Sequence, residues 1–468
     1  MSDAVQQFHD RAQAKVDDVS HRKKIRWAID TYEKAVLRGR ARFADWEAAR
    51  QRCYEIRWEA INHLDRYLEQ FEENVSKRGG KVFWAADAEQ ACTYVAKLAE
   101  ARGVKSIVKS KSMVCEEIHL NSVLESKGFK VWETDLGEYI VQLRKEPPYH
   151  IVTPAMHLSR ADIAELFRKE IPEDVKGETH EELVAAARRA LRRAFFSAEM
   201  GISGANFLVA ETGMIALSTN EGNGRLCTSI PRIHVVVTGI EKIIARTQDL
   251  ALLWPVLAAA GTGQNLTAYS TLIGGPRSNR EIDGPEEFHV VLLDNGRSKL
   301  LADTEQRDLL QCIRCGACLN ACPVYRNIGG HAYATTYQGP IGSALTPNLR
   351  GLAEFQHLSY ASSLCGNCSS VCPVKIDIAE HLLQNRRNAV NQGQRPRAEE
   401  IGMRLWRWTM MDERRFAIIG TMAKIVVRTF GALATYPLKP WSRKRELPEM
   451  PKASFRQMWR KHGRQQQR

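Results

Sequence analysis

The stretch "CIRCGACLNACP" sets Cys312, Cys315, Cys318 and Cys322 in a row with gaps of two, two and three residues, and Pro323 closes the run. Thiolates at that spacing can wrap three corners of an iron–sulfur cubane, while the longer step turns the fourth sulfur towards a second cluster. Gly316 relieves crowding at the bend, and Pro323 ends the loop without adding a backbone donor. Further along, "SSLCGNCSSVCPV" repeats the pattern with Cys365, Cys368, Cys372 and Pro373 but lacks the first cysteine. Reciprocal exchange predicts one 4Fe-4S cluster on Cys312, Cys315, Cys318 and Cys372, and a second on Cys322, Cys365 and Cys368. Counting back three from Cys365 reaches Ser362. The eighth ligand is then the Ser362 oxygen, a residue of the intervening loop such as His331, or water; otherwise the second cluster is of the 3Fe-4S kind. Paired C-x-x-C segments also suit structural zinc, and two Cys-Pro terminations in register argue against that reading.

Elements must hold these loops. Residues 1–78 read as an N-terminal helical segment, clearest where Tyr54, Trp58, Ile61, Leu64, Leu68 and Phe71 recur at steps of three and four. "SKRGG" breaks the pattern. From 79 to 298, short β-rich runs alternate with helical stretches, which predicts an α/β domain with a mostly parallel sheet built from right-handed crossovers. "NFLVAE", "MIALST", "RIHVVVTG", "LTAYSTLI" and "FHVVLLDNG" are expected to continue that sheet, with antiparallel additions, and 159–199 reads as a helical insertion. Residues 299–392 form the helical ferredoxin-type region, and 393–468 a helical, basic extension. Its apolar stretch at 416–438 is interrupted by Lys424 and Arg428, short of the roughly 20 unbroken residues a spanning helix needs. A packed amphipathic helix is expected there, with peripheral membrane contact as the second reading.

Composition narrows the function classes. With 44% hydrophobic and 26% charged residues, and no apolar leader behind a charged start, the chain reads as globular and cytoplasmic. Clustered thiols in such a chain point to metal rather than disulfides, and Cys53, Cys92, Cys115 and Cys227 read as ordinary buried residues. The net charge of +13 collects at the two ends, with no nucleic-acid-binding signature between them. Nucleic acid is therefore not an expected partner.

The α/β region offers weaker signals. Gly222 and Gly224 follow "MIALST", where backbone amides with Arg225 could cradle an anion. Lys109 and Lys111 lead into a helix and could meet a carboxylate or phosphate there. Glu211, and His150 and His157 around "IVTPAM", are further polar candidates. No G-x-G-x-x-G follows a strand, so the chain reads as a relay of single electrons whose two-electron chemistry lies elsewhere. The alternative is a redox-linked sensor or binding module for a small carboxylate or phosphate.

The order of "ETGMIALSTNEGNGRLCTSIPRIHVVVTGIEKI", "CIRCGACLNACPVYRNIGGHAYATTYQGPIG" and "SSLCGNCSSVCPVKI" resembles the iron–sulfur B component of bacterial three-protein L-lactate utilisation systems. The likeness covers nearly the whole chain. It implies a lactate-utilisation domain, related in fold to the formyltetrahydrofolate cyclo-ligase and sugar-effector-domain group, fused to a two-cluster ferredoxin module. It further implies a non-catalytic electron carrier in L-lactate oxidation to pyruvate, working with a cysteine-rich-motif subunit and a small lactate-utilisation-domain subunit.

Overall fold

The computed structural model describes residues 3–171, 175, 177–394, 397–430 and 451–466. They divide into two compact units, 1–394 and 395–468.

The first unit is built on a six-stranded sheet in the order β1-β10-β7-β4-β2-β3. Its strands are β1 (Lys81–Ala85), β2 (Ser106–Lys109), β3 (Lys130–Glu133), β4 (Met200–Ser203), β7 (Ile233–Gly239) and β10 (Glu287–Leu293), and every pairing is parallel. Helices cover both faces, so β7 is buried along its whole length and β10 beyond Glu287. That is why their sequences run apolar without alternation.

Three of the runs expected to extend this sheet do not join it. β5 (Phe207–Val209), β6 (Met214–Thr219) and β9 (Tyr269–Ile273) form a second, four-stranded sheet with β8 (Ile243–Ile244), in the order β8-β5-β6-β9. The short connection from Val209 to Met214, with Gly213 at φ +67°, permits only an antiparallel hairpin, whereas a parallel partner needs a long crossover. The strand that does enter the main sheet, Met200–Ser203, carries Gly201, where a Cβ would stand 1.8 Å from the Cys227 carbonyl oxygen. Close approach, not strand propensity, chose that residue.

The insertion folds as two helices, Arg160–Glu170 and His180–Ser197, each opened by a reciprocal cap, Ser159 with Asp162 and Thr179 with Glu182. The amphipathic pattern through 54–71 is split at His63 into helices Trp46–Asn62 and Leu64–Lys77. Ile61, Leu64, Leu68 and Phe71 are buried while Trp58 faces solvent. Past β10 the described residues hold helices only, mostly short ones.

The second unit contains helices Arg397–Met410, Glu413–Phe430 and Phe455–Gln466, and the first two have no buried residue. Residues 431–438 of the apolar stretch lie outside the described residues. Among those described, no helix is long and apolar enough to cross a membrane.

Candidate metal centres

Two loops carry the clustered cysteines, and their backbones match. In the first, Arg314 and Gly316 adopt left-handed conformations at φ +60° and +78°; in the second, Leu364 and Gly366 do so at +54° and +78°. Two left-handed residues on either side of the second ligand wind the chain tightly enough for successive side chains to face one point. The match extends to the first position. Cys312 Sγ accepts the Arg314 N–H at 3.4 Å, and Ser362 Oγ accepts the Leu364 N–H at 3.1 Å. Ser362 thus occupies in the second loop the place that Cys312 holds in the first. The Ser363 hydroxyl reaches the Cys365 thiol.

Folding sorts the thiols into two sets. Cys318 is within electrostatic reach of Cys315, Cys312 and Cys372, while Cys368 is within reach of Cys322 and Cys365. Burial pushes the Cys372 thiol up to about 12, and it raises Cys315 and Cys318 as well. In the other set burial pushes Cys368 up to about 11, but Cys365 is exposed, and the Asn367 N–H, with Ser363, lowers it. A sulfur-only donor set suits iron–sulfur clusters or zinc. Buried thiols of this kind become thiolates when a metal binds them, so the residues present fit the clusters the motif implies.

Basic side chains brace the loops through carbonyls. Arg57, fully buried, donates to the oxygens of Gln311 (3.2 Å), Leu310 (3.2 Å), Ile243 (2.6 Å) and Glu241. One side chain on the N-terminal helices therefore ties the first cysteine loop to the segment after β7. Arg50 Nε donates to Cys372 O at 2.9 Å. Among the cations near the motif, Arg326 pairs with Glu33 (2.9 Å) and Asp30 (3.4 Å), and Lys375 bonds Gln51 at 2.9 Å. Arg314 lies 3.3 Å from Glu241, which also holds Arg297 at 2.6 Å. His331, an alternative eighth ligand, packs against Tyr149 and His157, and its Nε2 donates to Pro147 O at 2.8 Å.

Beside the first loop lies a cavity of about 550 Å³ whose wall includes Tyr32, Lys111, Asn206, Lys242, Arg314 and Cys315. Strands β2, β4 and β7 end here, at the carboxyl edge where open α/β sheets bind ligands. Of the ligand candidates read from sequence, only Lys111 reaches this wall, its Nζ donating to Val152 O at 2.7 Å. Lys109 is buried and spent on Glu133 (2.7 Å) and Glu116 (3.1 Å). Gly222 and Gly224 do not line the cavity, although Glu221 and Asn223 do. Gly224 packs against Thr219 and Leu217, so it serves close packing rather than an anion. Arg225 lies over the Tyr269 ring, and Glu211 accepts the Thr247 N–H at 2.9 Å. His150 is buried against Gly316, its Nδ1 accepting the Val152 N–H.

Sequence reasoning missed Lys242. It is 5% exposed, and it makes no hydrogen bond or ion pair among the described residues. Burial, with Arg314 close by, lowers it to about 7. Opposite, burial and the neighbouring Asp135 raise Glu221 to about 7.

The chain matches the LUD domain over residues 68–293, a 4Fe-4S dicluster domain over 308–376 and the C-terminal region of lactate utilisation protein B over 383–464. Fold, thiols and matches together define an iron–sulfur protein of the lactate-utilisation class. Its relatives include lactate utilization protein B of Bacillus velezensis, 42% identical over 98% of this chain and 97% of that one. The Bacillus subtilis protein of the same name is 42% identical over 96% and 95%. The chain belongs to the lactate utilization protein B family. Among solved structures, a DUF162 family protein from Deinococcus radiodurans aligns at 15% identity and a TM-score of 0.29, over 49% of this chain and 98% of that one.

Proposed function

We propose that this chain is the electron-transferring iron–sulfur subunit of a multi-protein, cytoplasmic system that oxidises L-lactate to pyruvate. Cys312, Cys315, Cys318 and Cys372 hold a 4Fe-4S cluster, and Cys322, Cys365 and Cys368 hold a second, with Ser362 at its fourth corner. Such clusters supply one-electron transfer and take no hydride from carbon. The two-electron step therefore belongs to partners, a cysteine-rich-motif subunit and a small lactate-utilisation-domain subunit.

The observation that carries this reading is the sorting of seven thiols into adjacent sets of four and three, in a chain whose relatives bear the lactate-utilisation name. Helix Ala317–Ala321 joins the sets, with Cys318 serving one and Cys322 the other. The matching place of Ser362 and Cys312 supports the fourth corner.

The test is anaerobic reconstitution of the full chain with iron and sulfide, followed by L-lactate in the presence of both partner proteins. Two reducible clusters that accept electrons only when lactate and partners are present are expected. A colourless, zinc-loaded chain, or clusters that lactate never reduces, would overturn the reading.

A further inference from the structure

The wall of the cavity between Lys242 and Cys315 carries cationic nitrogens that make no direct contact with a carboxylate or acceptor among the described residues. An ammonium taken out of water without a hydrogen bond or counter-ion is strongly disfavoured, yet Lys242 is 5% exposed and makes neither contact. Arg314, on the same wall, has its Nη1 buried without a partner, although Nη2 reaches Glu241 at 3.3 Å. The surrounding ion pairs do not absorb the excess. Glu117 is engaged by Arg297, and Glu241 by Arg297 and Arg314, so among the described residues no carboxylate is left to pair with Lys242, and Cys312 offsets it only when ionised. Lys111 adds a further cation at the rim, and Asn206 and Ser218 supply neutral polar groups, with Ser218 Oγ unpartnered.

We infer that this cavity binds a small monocarboxylate, held by Lys242 and Arg314 directly beside the four-thiol set, and that its occupancy is coupled to the redox state of that set. Asp135 and Glu221 also line the cavity and limit its positive excess, which suits a singly charged carboxylate better than phosphate, and the unpartnered Arg314 Nη1 is available to donate to it. The cavity is assembled from three parts of the chain: Tyr32 from the N-terminal helices, Lys111 and Lys242 from the lactate-utilisation domain, and Arg314 and Cys315 from the dicluster region. An added negative charge next to Cys315 opposes the arrival of an electron there. Reduction must therefore weaken carboxylate binding by the same factor by which the carboxylate lowers the reduction equilibrium.

The inference takes its choice of probes from the proposed role in lactate oxidation, but it is tested on the reconstituted chain alone, so either can fail while the other stands. Calorimetric titration with L-lactate, pyruvate and inorganic phosphate is expected to show saturable binding of at least one carboxylate in preference to phosphate. The Lys242→Met variant should weaken that binding by roughly tenfold or more, the scale of a lost hydrogen-bonded ion contact. Removing an unpaired buried ammonium should not impair folding, and Lys111→Met provides a second variant expected to weaken binding less. Redox titration with and without saturating carboxylate should lower the potential of the four-thiol centre; a tenfold preference for the oxidised state equals about 59 mV. The inference is overturned by an absence of carboxylate binding with both clusters intact, by preferred binding of phosphate, or by equal affinity in Lys242→Met. A potential that moves in Lys242→Met but never responds to carboxylate would also overturn it, because Lys242 would then serve the thiolates alone.

Discussion

Around Cys315, Cys318 and Cys372 the protein is closed: all three are buried, the carbonyl of Cys372 takes the Arg50 guanidinium, and the Arg57 guanidinium braces the start of the loop. Around Cys365 it is open. That cysteine is exposed, and its hydrogen-bond neighbours are the Ser363 hydroxyl and the Asn367 N–H. Both loops share one backbone trace, with left-handed residues at Arg314 and Gly316 in one and at Leu364 and Gly366 in the other. The difference therefore lies in what is packed against the loop. Solvent access and hydrogen bonds to sulfur are the levers that tune an iron–sulfur centre, and here they are set oppositely for two copies of the same motif.

The strongest way to break this contrast is to remove one ligand from each side. Because metal binding is part of folding free energy, Cys318→Ala should empty the four-thiol set, lower the melting temperature and halve the bound iron. Cys365→Ser should leave the first set occupied and cost less stability, since Cys365 lies outside the core. Iron analysis with thermal unfolding of both variants checks this, and equal losses would contradict the contrast. Next in size is Arg57→Met. It leaves four carbonyls without their donor and should cost several kcal/mol, since each buried acceptor left unsatisfied costs about 1–3 kcal/mol. Iron should be lost from the four-thiol set first, as followed by denaturant unfolding alongside the cluster absorbance.

A smaller effect is expected in the metal-free chain. Thiolate, not thiol, reacts with alkylating reagents. Cys365 is exposed and lowered by the Asn367 N–H, while burial pushes Cys372 up to about 12. Iodoacetamide should therefore modify Cys365 first, roughly tenfold or more ahead of Cys372. Peptide mapping at short times gives the order, and the reverse order would mean the two environments are misjudged.

Much of this was readable from the chain because the information is local. The cysteine spacing marks the two loops, since a loop closing on one point needs only its own residues, and the strand–helix alternation of 81–133 survives because each crossover is a short-range pattern. Where sequence reading failed, tertiary context decided. β5 and β6 read as strands but not as members of a second sheet, because the tight connection at Gly213 dictates the pairing. Lys109 read as a free cation, yet three carboxylates from later segments, Glu116, Glu133 and Glu138, surround it. Lys242 carried no local signal, being an ordinary lysine in "GIEKI" until Arg314 and Cys315 are folded beside it.

The finest test of the contrast concerns Ser362. Its hydroxyl holds the position of the Cys312 thiol, down to the hydrogen bond received from the residue two places on. A serine oxygen is a harder donor than a thiolate and suits iron less well. Ser362→Cys should therefore complete four sulfur ligands on the open side. The side chain is half-buried and the swap is nearly isosteric, so stability should change by no more than about 0.5 kcal/mol. The electron paramagnetic resonance signature of the open set should change and its potential should shift, while the signals of the closed set stay in place. Ser363→Cys, one residue out of register, should change neither. If Ser363→Cys alters the spectrum and Ser362→Cys does not, the matching of the two loops at their first position is wrong.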